Sequence, residues 1–140
     1  MAFFSEIYAG NLIGKRVLNS EENYYGKVID LIVDIEGENN SVSKLVIKTH
    51  KQNVTIKWDS LQSIEIGFLN LKLKPEFSEE KWEYSDSEFY VVRSLLDKQV
   101  VDTKGRKVVR VNDIKFAEIK GSMVMVAIDI GLRGLIRRLG

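Results

Sequence analysis

The chain repeats itself, and that limits its folds more than any motif does. Offset by 83 positions, Leu12-Ile13-Gly14-Lys15-Arg16-Val17-Leu18-Asn19 falls on Leu95-Leu96-Asp97-Lys98-Gln99-Val100-Val101-Asp102. The alignment continues without a gap, so Lys27 meets Arg110 and Val28-Ile29-Asp30-Leu31 meets Val111-Asn112-Asp113-Ile114. Leu12, Lys15, Val17, Val28 and Asp30 recur identically, and most other positions keep their apolar or polar character. Such self-similarity predicts two related units in tandem.

The first unit, residues 1–74, carries the signals of short antiparallel strands. Lys27 to Ile35 is rich in β-branched residues and stops at the turn formers Glu36 to Asn40. Ser43 to Thr49 is the return strand, and Val54 to Trp58 alternates at period two. Ile64 to Leu73 reads as a hairpin turning at Gly67. Strands this numerous and short curl and close, because an open edge exposes unpaired backbone groups. Residues 75–88 hold six acids, one lysine and the chain's only proline. They read as an acidic linker pinned by Phe77, Trp82 and Tyr84.

The second unit, 89–140, opens with a short helix over Phe89 to Leu96. Strands follow near Gln99–Asp102, Lys107–Lys120 and Met123–Ile130, with a turn at Gly121-Ser122. At the end of the chain, Leu132, Leu135, Ile136 and Leu139 fall at i, i+3, i+4 and i+7, with Arg133, Arg137 and Arg138 off that stripe. This spacing predicts a terminal helix that covers a barrel end; the functional readings are docking on a partner or on the rest of a longer chain, and a membrane-surface or nucleic-acid contact. The expected fold is therefore mainly β: two small antiparallel barrel or sheet units in tandem, with short helices before the second unit and at the C-terminus. Too few strands remain in the second unit to close a barrel alone, which predicts self-association as a homodimer.

Chemistry is sparse. Cysteine is absent, which excludes disulfides and thiolate sites and fits a cytoplasmic chain. His50 is the only histidine and lies in a polar turn, so it reads as a turn residue. Asp30 and Asp113 are matched under the repeat; a shared proton or cation is one reading, and a structural role, capping a turn or pairing with Lys15 and Lys98, is the favoured one. Glu76, Glu79, Glu80, Glu83 and Asp86 lack the spacing of a calcium loop and read as a solvated face. No catalytic residue, cofactor or metal site is assigned. A net charge of +1 gives no global attraction to nucleic acid or an anionic membrane. No apolar run approaches the roughly 20 residues that span a bilayer, so direct membrane insertion is not expected. Candidate partner contacts are Arg133, Leu135, Arg137 and Arg138, with the pair Tyr24 and Tyr25 serving either an interface or hairpin packing.

Leu12 to Val17 followed by Gly26-Lys27-Val28-Ile29-Asp30 resembles the opening of a PRC-barrel domain, a small β-barrel first known from the photosynthetic reaction centre H subunit. Ile56 to Ile64 is similar to that family's closing strand and turn. The second copy, through Leu96 to Asp102, Val108 to Ile114 and Ile128 to Leu135, resembles the segment preceding the cytosolic domain in MgtE-type magnesium-transporter-related proteins. Those proteins continue where this chain ends at Gly140, so it is expected to be either a free-standing double barrel or a segment of something longer. The resemblance implies a non-enzymatic docking or regulatory module whose protein partner is the cytosolic part of a membrane transporter for magnesium or other divalent cations. It also allows an adaptor in RNA or ribosome maturation. Against that stand the near-neutral charge and no visible basic face interleaved with exposed aromatics.

Overall fold

The computed structural model describes residues 6–37, 40–65, 70–96, 99–101, 108–130 and 136–138. Its backbone is built on the hairpin of β3 (Tyr24–Asp34) and β4 (Ser41–Lys48), whose valines, isoleucines and leucines favour extended backbone. Alternation places Leu31, Val33, Leu45 and Ile47 on the inner face, while Ile32 and Val46 face outward. Two bulges, at Val28/Asp30 and Ile32/Val33, reset that phase and add curl. β5 (Asn53–Lys57) extends the sheet beyond β4. On the other side β2 (Arg16–Leu18) pairs with β3, and the hairpin of β6 (Leu61–Glu65) and β7 (Asn70–Leu73) adds to β2 through a parallel pair. Gly67, the expected turn of that hairpin, lies outside the described residues.

The second half does not form a detached barrel. β12 (Asp113–Ile119) and β13 (Ser122–Asp129) pair with each other, and β13 joins the edge of β4 at Val124↔Ser41. β1 (Glu6–Tyr8), from the start of the chain, pairs with β12, and β9 (Phe89–Tyr90) pairs with β3. Twelve described strands thus share one curled sheet, while β10 (Gln99–Val101) and β11 (Val108–Arg110) form a separate pair. One core runs through both halves: Val28, Leu45, Trp58 and Leu71 pack with Val91, Ile114, Phe116 and Met125. The edges from which self-association is expected are largely covered inside the chain.

The 83-residue offset recurs in the pairing. Arg16↔Lys27 in β2·β3 matches Gln99↔Arg110 in β10·β11. Asp30↔Val46 and Val33↔Val42 match Asp113↔Asp129 and Phe116↔Met125, and each hairpin has its bulge at the equivalent place, Ile32/Val33 and Lys115/Phe116.

Two expectations need correction. Ile136–Arg138 is not helical: it forms β14, antiparallel to β13, because the open side of β13 offers backbone partners that a ten-residue helix would lack. The β12–β13 turn sits one residue earlier than expected, at Lys120-Gly121, whose φ values of 51° and 82° suit the tight turns that match strand twist. Among the described residues helix is confined to α1 (Val91–Ser94) and to 3-10 turns at Ala9–Asn11 and Trp58–Ser60.

Gly26 faces the interior where a Cβ would lie 2.6 Å from both the Ile47 side chain and the Lys48 carbonyl oxygen. Gly26→Ala must therefore push β3 from β4, and a loss of about 1–3 kcal/mol is expected in urea unfolding. An unchanged midpoint would show that the hairpin has slack.

Candidate functional site

Asp30 is buried on β3, and both its oxygens accept backbone hydrogen bonds from the other half of the chain. Oδ1 receives the N–H of Val92 at 2.8 Å and of Leu31 at 2.7 Å, and Oδ2 receives that of Arg93 at 3.2 Å. The carboxylate thus caps α1, whose first N–H groups have no partner within the turn. Asp113 makes the reciprocal arrangement on β12, with Oδ1 accepting from Gly10 at 3.0 Å, in the 3-10 turn Ala9–Asn11, and from Ile114 at 2.8 Å. Matched residues close the two turns: Asn11 Oδ1 accepts from Tyr8 at 3.1 Å, and Ser94 Oγ accepts from Tyr90 at 3.2 Å. A Cβ on Gly10 would approach Asp113 Oδ2 to 2.9 Å, so a larger residue there would push the carboxylate aside. Each half holds the leading turn of the other. Neither aspartate contacts Lys15, and Lys98 lies outside the described residues.

Burial raises the Asp30 pKa, with the N–H groups of Val92, Leu31, Arg93 and Val91 pulling the other way. A value raised in the folded chain means that this proton is held more tightly than in the unfolded chain. Asp30's contribution to stability is therefore fully present below the ordinary 3.8 and fades as pH rises through its raised value.

The linker covers the outer face of β3–β5. β8 (Glu80–Lys81) pairs with β5, and Trp82 packs edge-on against Tyr90 over Ile32 and Val46. Trp82 Nε1 donates to the Tyr90 hydroxyl at 3.3 Å, Tyr84 stacks on Tyr90, and the Arg93 guanidinium lies 4.1 Å from the Tyr84 ring centre. Tyr25 turns to the linker as well, against Phe77 and with its hydroxyl donating to Glu79. Burial, that bond and the Glu79 charge raise its pKa strongly. Between linker and sheet lies a cavity of about 150 Å³ bounded by Ile32, Thr55, Trp82 and Tyr90.

Of the expected contact residues, Tyr24 and Tyr25 diverge. Tyr24 is exposed beside His50, while Tyr25 is half-buried under the linker. Arg137 and Arg138 have their backbone in β14, and Arg133 and Leu135 lie outside the described residues. Among the described residues no group of three or more His, Asp or Glu is placed to hold a metal ion.

A basic row went unnoticed in the sequence. Register places Arg16 of β2 opposite Lys27 of β3, and Lys27 opposite Lys48 of β4, all three exposed. They are 11 and 21 residues apart in sequence, and only the strand pairing unites them; the outward phase of cations bordering apolar strands was the available signal.

Residues 4–71 match the model of the PRC-barrel domain family. The matched segment thus runs from β1 into β7 and includes Asp30 and the basic row. The second half lies outside this match. No curated protein matches the chain.

Asp30→Ala leaves the α1 N–H groups without their acceptor and is expected to cost about 1–2 kcal/mol, with faster amide exchange at Val92 and Arg93. Asp30→Asn removes the buried charge. The stability of the original chain relative to this variant should fall as pH rises through the carboxylate range, in paired denaturation series; a difference that grows with pH would contradict the assignment.

Proposed function

We propose that the chain is a tandem of two PRC-type units folded as one pseudo-symmetric body, acting as a non-enzymatic interaction module. The observation that carries this reading is the reciprocal engagement of Asp30 and Asp113. The two carboxylates that a repeat brings into equivalent positions are committed to backbone N–H groups of different turns, as befits a scaffold. A rigid body of this kind offers its outer faces to partners. The PRC-barrel match of residues 4–71 supports the same class, since the family resemblance implies docking or regulation.

The partner we assign is the cytosolic part of a membrane transporter for magnesium or another divalent cation, on the motifs of the second half. Cytoplasmic placement and pairing of two copies are parts of the same proposal, with β6, at one end of the sheet path, as the edge for such pairing. Cross-linked purification of the tagged protein from its native cells tests it. Recovery of a divalent-cation transporter is expected, with cross-links to the second half; recovery of ribosomal proteins alone would contradict it.

A further inference from the structure

The row Arg16–Lys27–Lys48 is a cost that the fold does not explain. Like charges directly opposite on paired strands repel, and among the described residues none of the three has a carboxylate within ion-pair distance. Carboxylates on adjoining segments are engaged elsewhere, Glu22 with Lys72 at 3.7 Å and Glu79 with the Tyr25 hydroxyl. Beside the row, the turn Thr49–Gln52 adds exposed Lys51 and His50, held by Thr49 Oγ1, which accepts from Lys51 and Gln52 and donates to the Gln52 carbonyl at 2.6 Å. His50 meets Tyr24 edge-on at 5.9 Å, and the Arg16 guanidinium lies 5.3 Å from the Tyr24 ring centre. Tyr24 itself is 43% exposed, an apolar ring with a polar tip at the margin of a cationic strip.

We propose that this strip, the Arg16–Lys27–Lys48 row with Lys51 and Tyr24 at its margin, is a docking surface for an anionic lipid bilayer. Its shape suits a plane: the cations stand on the outer face of neighbouring strands about 4.8 Å apart, at one end of the β3–β4 hairpin. The other end of that hairpin carries Asp34 and Glu36, both exposed. A net charge of +1 therefore conceals a hairpin with a cationic end and an anionic end, which favours an orientation on a charged plane with Asp34 and Glu36 turned to solution. A flexible polyanion following the sheet past Lys48 would meet neutral Asn53 and then the acidic linker on β5, where Glu80 sits opposite Thr55. Tyr24 suits the headgroup level, where amphipathic rings accumulate. This is adsorption without insertion, and it needs no protein partner.

Co-sedimentation of the purified full chain with vesicles of phosphatidylcholine alone, or mixed with phosphatidylserine, tests the proposal. Binding is expected to the mixed vesicles only, and to weaken as salt is added. Lys27→Gln with Lys48→Gln should lower the partition about thirtyfold, whereas Lys57→Gln, exposed elsewhere on the sheet, should leave it unchanged. The double variant should melt no lower than the original chain, since a repulsion has been removed; Lys48→Glu alone gives a second reading of the same loss. Equal binding to both vesicle types, no binding to the mixed vesicles at low ionic strength, undiminished binding by the double variant, or a gel shift of single-stranded RNA without vesicle binding would each overturn it.

Discussion

Everything else in this fold hangs on two carboxylates that reach across the chain. A four-residue helical turn cannot satisfy its own first N–H groups, and neither turn here is long enough to be stable alone. Asp30 supplies the acceptors for α1 from a strand 62 residues earlier, and Asp113 does the same for Gly10 from 103 residues later. The turns carry β1 and β9 with them, so each half receives a strand and a cap from the other. The shared core follows: Ile7 and Val91, which flank or begin the turns, are buried among residues of both halves. The Lys115–Glu6 ion pair, at 2.8 Å, ties β12 to β1 along the same seam.

The outer face is organised by what covers it. Ile32 and Val46 point away from the main core, and the linker brings Trp82 to them, while Tyr90 fills the space from β9. The acidic segment is thus an aromatic clamp whose charges face water, and its Glu88 also reaches Lys44 at 4.0 Å. Coverage stops short of the row formed by Arg16, Lys27 and Lys48. One sheet face therefore has two parts, one apolar and sealed, the other cationic and open.

The strands of the first half were legible because alternation and turn chemistry are local and survive in a single sequence. The 83-residue match of Asp30 and Asp113 was visible too, with capping a turn and pairing with Lys15 and Lys98 as the two structural roles it allowed. Their target was not: nothing local says that Asp30 caps a turn of the other half rather than one of its own. The bulges at Ile32/Val33 and Lys115/Phe116 were equally hidden, since an inserted residue is defined by the partner strand. The C-terminal apolar spacing fits a helix stripe, yet residues 136–138 lie beside β13, where backbone pairing outweighs a short helix's weak propensity. The basic row needed three strands in register before it existed at all.

The two halves form one interlocked body, held by contacts that do not depend on an unbroken chain between them. Introducing a protease site within residues 75–88 of the full chain and cleaving the folded protein tests this directly. The account predicts that the two fragments coelute at the size of the intact chain and unfold in a single transition, which Asp30→Ala shifts downward. Fragments that separate after cleavage, or that unfold in two independent transitions, would contradict it.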